Sequence, residues 1–264
     1  MIKNIFSVIL TLFVAFSYMG CDKIEGEYRE NADELLSTVV LFEFTGIRCP
    51  NCPDAHIKVE ELKTQFGKNL KSIAIHSNAF GDPIGSFLLQ TQEGNELLSY
   101  LEVNGLPQGS VNSIKKGSTT EMGDWGSNIG KYGYKSPDLE LNIEHSLNDT
   151  SIMVTINGKF DENMIGIYDD LQIGVYLVES KIEGGQYNGT TLIPDYIHNH
   201  VLRSSFNGFL GEEYVKNATA GMEVDELKYY LTLKSNWNKE NIEPFVFVYK
   251  NENKELIPFK VNYN

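Results

Sequence analysis

The chain has 264 residues, 41% of them hydrophobic, and a formal net charge of −14 at pH 7. This hydrophobic fraction is normal for a globular protein and excludes a wholly disordered chain. The length suffices for two domains of ordinary size. The acidic balance and the lack of a basic patch argue against nucleic acid as a partner.

Residues 1–20 have the features of an export signal. Lys3 supplies a positive start, and the apolar run Ile5–Phe16 is too short for a membrane span. Gly20 directly before Cys21 is typical of a bacterial lipoprotein cleavage site. We therefore expect residues 1–20 to be a lipoprotein signal peptide and Cys21 to carry acyl chains, since several chains anchor stably where one would not. The alternative is a plain secretory peptide followed by a chance cysteine.

An acidic segment follows over residues 21–33. It contains few apolar residues and includes the carboxylates Asp22, Glu25, Glu27 and Glu30. This composition predicts a tether between the lipid and the folded part of the protein.

A strand, two cysteines and a helix are predicted in succession after the tether. The run Val39–Phe44 is apolar and rich in β-branched and aromatic residues, which indicates a buried strand. Gly46 ends the run, Cys-Pro-Asn-Cys follows at residues 49–52, and apolar residues then recur with helical period. A helix N-terminus stabilises an anion, so the pKa of Cys49 should be lowered and its thiolate reactive. Pro50 suits the first helical turn, because its missing N–H would have no partner there.

The three cysteines of the chain divide into two groups. Lipidation of Cys21 leaves Cys49 and Cys52, which the export signal places in an oxidising compartment. A closed zinc site needs four ligands, and the sequence has no second cysteine pair. We therefore assign neither a metal nor a cofactor.

The strand, the Cys-x-x-Cys motif and the helix together resemble the thioredoxin fold. Glu43, six residues before Cys49, matches the buried acid that thioredoxins place beneath the disulfide. Gly105-Leu106-Pro107 resembles the loop whose cis-proline packs against the cysteines, X-Pro being the linkage where cis costs least. The resemblance implies that Cys49 attacks, that Cys52 resolves the mixed disulfide, and that Pro107 helps to hold a substrate peptide.

Two departures from the thioredoxin pattern bear on this activity. Arg48 stands where tryptophan is usual, and Asn51-Cys52-Pro53 replaces the usual Gly-Pro-Cys-Lys. Arg48 could nevertheless favour the thiolate, because a cation beside Cys49 lowers its pKa.

Residues 34–135 are predicted to be an α/β thioredoxin-like domain and residues 136–264 an all-β domain. In the first, we expect a strand at 70–76, a loop at 80–86, a mostly helical segment at 87–103, a strand after Pro107 and a closing helix around Trp125. In the second, apolar residues alternate along several short runs separated by turns, which is typical of an antiparallel, immunoglobulin-like β-sandwich.

Three histidines have alternative interpretations. His76 ends a predicted strand and could lower the pKa of Cys49, although a structural, hydrogen-bonded role is the commoner one. His198 and His200 lie in the less regular segment 195–203. If that segment is extended, both side chains face the same way and could bind a metal. The alternative is a polar, hydrogen-bonded seam where a long loop folds back.

Three segments together resemble the twenty-eight-kilodalton outer-membrane-protein family of lipoproteins from Gram-negative anaerobes. They are residues 46–53, the Tyr-x-His-Asn-His-Val-Leu-Arg run at 196–203, and residues 236–249. The resemblance covers nearly the whole mature chain. It implies a lipoprotein at the outer membrane, with a thioredoxin-like front half and a β-sandwich behind it.

Two functions remain open from the sequence. One is a thiol–disulfide oxidoreductase acting on protein thiols or disulfides through a mixed disulfide. The other is a surface protein that binds another surface protein or a glycan, with the Cys49–Cys52 disulfide as a staple. A hydrolase has little support, because neither a nucleophile elbow nor a His-Glu-x-x-His helix is present.

Overall fold

The computed structural model describes residues 35–77 and 83–264, and within these ranges the strands form three sheets. The predicted signal peptide, the tether and Cys21 lie outside the described residues, as does part of the predicted loop 80–86. The helices are α1 (Cys52–Phe66), α2 (Gln92–Leu101) and α3 (Met122–Gly133), with a short 3-10 helix at Gly67–Asn69. The strands are β1 (Val39–Thr45), β2 (Leu70–His76), β3 (Gln108–Val111), β4 (Leu139–Leu147), β5 (Ser151–Phe160), β6 (Tyr168–Glu179), β7 (Ile182–Asn188), β8 (Thr191–His198), β9 (Val201–Ser205), β10 (Glu212–Ala218), β11 (Glu223–Thr232), β12 (Ile242–Lys250) and β13 (Phe259–Tyr263).

Strand β1 occupies the centre of the front half. It pairs in parallel with β2 and antiparallel with β3, and α1 connects β1 to β2. All seven residues of β1 are buried. A strand that is covered on both faces has no side to present to water, which explains why apolar residues occupy both faces of β1. The predicted succession of strand, helix and strand over residues 39–76 is confirmed.

Successive residues of β1 point into two different apolar cores, as the two-residue period of a strand requires. Phe42 and Phe44 belong to the larger core, which also contains residues of β4, β5, β6 and β12. Val39 and Leu41 belong to a smaller core with residues of α1 and α3. The ring of Phe42 meets that of Phe247 in β12 edge to face, with centroids 5.2 Å apart. The front and back halves of the chain therefore share one core.

Helix α2 is shorter than the predicted helical segment 87–103. It begins after Thr91, whose Oγ1 accepts a hydrogen bond from the Gly94 N–H at 3.0 Å. This side chain satisfies an N–H that has no partner within the helix. The helix ends at Leu101, since Glu102 adopts the left-handed conformation with φ of 59°.

The largest sheet crosses the predicted domain boundary at residues 135 and 136. Its strand order is β10-β6-β9-β2-β1-β3, and β12 also pairs with β6. The halves meet where β2 and β9 pair in parallel at Ala74 and Val201, beside a hydrogen bond from the Ala74 N–H to the His200 carbonyl (2.8 Å). Residues 34–264 group into one compact unit. The division at residue 135 stays a prediction.

The back half is β-rich, as predicted. Strands β11, β5, β4 and β13 form a four-stranded sheet. In β4, Leu139, Leu141 and Ile143 are buried and the residues between them are exposed, so the two-residue period holds. Strand β13 runs parallel to β4, contrary to the expected all-antiparallel arrangement. The reason is that the chain leaves the largest sheet after β12 and only then adds β13 to the edge of the smaller one.

Candidate functional site

Cys49 and Cys52 form a disulfide between β1 and α1, with their Cα atoms 5.4 Å apart. Helix α1 begins at Cys52, so Pro53 lies in its first turn while Cys49 and Pro50 precede it. The expectation that Cys49 and Pro50 occupy the first turn is therefore wrong. Pro53 has the fixed φ that suits this turn, and Asn51 takes the N-cap position before it.

Both cysteines are buried, with Cys49 1% and Cys52 0% exposed. We call residues 46–51 the cysteine loop. The hairpin formed by β7 and β8 lies against this loop, and Gln186 of β7 is fully buried there. Its Nε2 donates to the Gly46 carbonyl at 3.3 Å and to the Cys49 carbonyl at 3.2 Å. No local pattern in the sequence predicts that Gln186 packs against the cysteine loop.

Backbone hydrogen bonds extend the contact between the hairpin and the cysteine loop. The Tyr187 N–H donates to the Ile47 carbonyl, and the Gly189 N–H donates to the Pro50 carbonyl, both at 2.9 Å. The guanidinium of Arg48 lies 5.5 Å from the ring centroid of Tyr187. Arg48 thus contributes to holding the hairpin against the loop.

Glu43 lies in β1 and is 3% exposed. Burial raises the pKa of its carboxyl to about 8, although the nearby Lys63 partly opposes this shift. Its Oε1 lies 3.5 Å from Nε2 of His56 in α1. At neutral pH the carboxyl is therefore mostly protonated, so it can release a proton as well as accept one.

His56 connects Glu43 to the hairpin. Its Nε2 is 2.9 Å from Oγ1 of Thr45, and its Nδ1 is 2.7 Å from the hydroxyl of Tyr196 in β8. Burial lowers the pKa of His56 to about 4, so the ring is neutral at pH 7. Sequence reasoning missed both His56 and Tyr196. The four-residue spacing from Cys52 to His56, which puts both on one face of a helix, is the signal that could have found the histidine.

Pro107 lies at the same end of the sheet as the cysteine loop. It immediately precedes β3, and the register pairs Gln108 of β3 with Phe44 of β1. The antiparallel direction therefore brings Pro107 to the level of Thr45, where β1 runs into the loop. Pro107 is buried, and the peptide bond from Leu106 to Pro107 is cis.

A cavity of about 580 Å³ lies between α1, β2 and β8. The polar side chains in its wall include Glu43, His56, His76, Tyr196 and His198. Burial lowers the pKa of His76 well below its usual value. Neither ring nitrogen of His76 has a hydrogen-bond partner among the described residues, so the expectation of a hydrogen-bonded histidine is wrong. Its ring packs instead against that of His198, with centroids 5.6 Å apart.

The segment 195–203 is regular except for a bend at residues 199 and 200, so His198 and His200 do not lie on one extended strand. Strand β8 ends at His198, β9 begins at Val201, and His200 between them has a φ of 54°. His200 contacts the Lys63 ammonium, and its N–H donates to the Ser180 hydroxyl at 3.0 Å. In residues 35–77 and 83–264, no group of three or more His, Cys, Asp or Glu is arranged to hold a metal ion.

No helix in the described part of the chain has the length and apolar character needed to cross a membrane.

Comparison with known proteins identifies a family and several similar solved structures. The family model described as outer membrane protein Omp28 matches residues 94–261. The structure of HBP35 of Porphyromonas gingivalis aligns with a TM-score of 0.67 and 19% identity, covering 85% of this chain and 74% of that one. A domain of the outer membrane lipoprotein Omp28 from P. gingivalis aligns at 23% identity and a TM-score of 0.33, covering 48% of this chain and 91% of that one. No curated protein sequence matches the chain.

Proposed function

The chain belongs to the Omp28 family of outer membrane proteins, and we propose that it is a lipid-anchored member that exchanges disulfides with protein thiols. Cys21 would carry the lipid, and residues 21–33 would tether the folded part to the membrane. The folded front half would be thioredoxin-like, an assignment supported by the order β1-α1-β2 and by the antiparallel β3.

The observation that carries the redox proposal is the Cys49–Cys52 disulfide at the entry to α1, with the buried acid Glu43 in the preceding strand. A substrate thiolate would attack Sγ of Cys49, which breaks the Cys49–Cys52 bond and releases Cys52 as a thiolate. Glu43, protonated at neutral pH, would be the proton source for Cys52. A second substrate thiol would then attack the mixed disulfide and release Cys49. Two electrons pass to the cysteine pair, and the substrate leaves with a disulfide.

The test is a trapping experiment with the Cys52→Ala variant. In that variant Cys49 attacks a partner disulfide, and the mixed disulfide persists because no resolving thiol is present. We expect covalent partners that dithiothreitol releases and that the Cys49→Ala control does not capture. Equal capture by both variants, or no capture by either, would count against exchange through Cys49.

The alternative is a surface-binding protein in which the disulfide is only a staple. The burial of both cysteines favours it, since a catalytic disulfide must be reached by its substrate. The binding partner would then be a surface protein or a glycan. The reduction potential discriminates between the two functions, because structural disulfides lie below roughly −300 mV and exchange-active ones lie higher.

A further inference from the structure

The hairpin of β7 and β8 forms a two-stranded sheet of its own. An isolated two-stranded hairpin is only marginally stable in water. Its position therefore depends on the contacts that it makes with the rest of the protein. We propose that this hairpin is a gate, closed over the Cys49–Cys52 disulfide in the described structure, whose local opening controls access to the sulfur atoms. As regulation of exchange, this inference rests on the proposed function.

The first set of contacts that hold the gate closed involves the cysteine loop. Gln186, Tyr187 and Gly189 all donate hydrogen bonds to carbonyl oxygens of that loop. These acceptors belong to the residues that flank Cys49 and to Cys49 itself. Separation of β7 from the loop would therefore free the backbone on both sides of the attacked sulfur.

The second set of contacts lies at the other strand of the hairpin and at its base. The Tyr196 hydroxyl is 2.7 Å from Nδ1 of His56. The ring of Phe87 packs closely on the backbone of Gly184. A Cβ added to Gly184 would lie only 2.1 Å from that ring. Gly185 makes a similar approach to Ile84. Together with the contact of Arg48 on the Tyr187 ring, these hydrogen bonds and this apolar packing hold the hairpin in place.

Geometry makes a gate necessary for any exchange at this disulfide. A thiolate attacks a disulfide sulfur directly, so its path to that sulfur must be open. Cys49 is 1% and Cys52 0% exposed, which leaves no such path in the closed arrangement. The hairpin contacts the backbone on both sides of Cys49, so its separation from the cysteine loop is the opening that we infer. Local opening of this kind requires less free energy than global unfolding.

The experiment measures how fast dithiothreitol reduces the disulfide in the full-length protein in detergent. One thiolate of dithiothreitol attacks Cys49, Cys52 leaves as a thiolate, and the second thiol then releases Cys49 while the reagent closes into its cyclic disulfide. The Gln186→Ala variant loses the side-chain bonds to Gly46 and Cys49 and leaves those carbonyls without that donor. We expect reduction about tenfold faster or more. The control is Gln172→Ala, which removes an amide bound to Asp170 in β6 and should change the rate less than about twofold.

A second measurement covers the case in which Gln186→Ala fails to fold. In the unaltered protein, the reduction rate should rise only weakly with low guanidinium concentrations, because local opening exposes little surface. Amide exchange in residues 182–198 should likewise be faster than in β1. Equal reduction rates for the parent and Gln186→Ala would contradict the proposal that the hairpin is a gate. A guanidinium dependence of the reduction rate as steep as that of global unfolding would also contradict it.

The two experiments test the gate and the exchange function separately, so either proposal can fail while the other holds. Faster reduction of Gln186→Ala by dithiothreitol supports the gate even if Cys52→Ala traps no protein partner, which would reject the exchange function alone. If Cys52→Ala traps protein partners but Gln186→Ala does not change the rate of disulfide reduction, the exchange function is supported and the gate is rejected.

Discussion

Glu43 and His56 show how residue chemistry here depends on burial. Burial raises the pKa of Glu43 to about 8 and lowers that of His56 to about 4, so each shift favours the neutral side chain. The contribution of each side chain to the free energy of unfolding therefore depends on pH, and the two dependences have opposite signs. For His56 it is present above about pH 6.5 and is lost as the pH falls towards 4.

For Glu43 the dependence predicts an effect of Glu43→Gln. Because the folded-state pKa exceeds the ordinary 4.5, stability is fully present below pH 4.5 and is lost as the pH rises to about 8. The neutral glutamine avoids this loss. We expect the variant to be more stable than the parent at pH 8.5, by at most about 5 kcal/mol, and similar to it at pH 4.5.

Guanidinium unfolding of both proteins at the two pH values measures this difference. Glu61→Gln, at an exposed position on α1, is the control, and we expect its free energy of unfolding to differ from that of the parent by less than about 1 kcal/mol. A parent and a Glu43→Gln variant whose stabilities run parallel from pH 4.5 to 8.5 would contradict the raised pKa.

At the scale of elements, the pairing of β6 with β12 depends on one glycine. Gly174 of β6 lies directly opposite Phe247 of β12, and a Cβ at Gly174 would lie 2.1 Å from the phenyl ring. Phe247 is fully buried in the larger core, where its ring also meets those of Phe42 and Tyr176. The ring therefore has little room to give way.

We expect Gly174→Ala to lower the free energy of unfolding by about 1–3 kcal/mol through this overpacking. The matched control is Gly130→Ala in α3, where the nearest atom to a Cβ is 3.9 Å away. Alanine is the better helix former, so the control should be neutral or more stable by about 0.5–1 kcal/mol. Denaturant unfolding checks both values, and a Gly174→Ala variant as stable as the parent would show that the core adapts.

At the scale of the whole molecule, the halves of the chain depend on each other. Strand β2 borders β9 from the back half, and the larger core draws residues from both halves. In residues 34–135 alone, Phe42, Phe44, Ile73 and Ile75 would lose the back-half part of the larger core. Burial of such side chains contributes about 1.5–3 kcal/mol each.

We therefore expect residues 34–135, expressed alone, to lack a cooperative unfolding transition. Residues 34–264 should unfold in a single transition under the same conditions. Circular dichroism during thermal unfolding provides the measurement. A cooperative transition in the shorter fragment would instead support the division into two domains at residue 135.

Much of the fold was predictable because its signals are local. The apolar run before Gly46 indicated β1, helical spacing indicated α1, and the two-residue alternation at Leu139, Leu141 and Ile143 indicated β4. The position of Cys49 and Cys52 between a strand and a helix followed from the same patterns. Each depends only on residues that are close together in the chain.

By itself, the sequence determined where β1, α1, β2 and β4 form and where the cysteine pair lies relative to the first two. Only the tertiary structure decided what surrounds that pair. Gln186 lies 137 residues beyond Cys49, and Tyr196 lies 140 residues beyond His56, yet each pair is in hydrogen-bond contact. The closure of one sheet across both halves was decided in the same way. The physical reason is that periodicity reports which face of an element is buried, whereas the partner that buries it depends on pairing between distant strands.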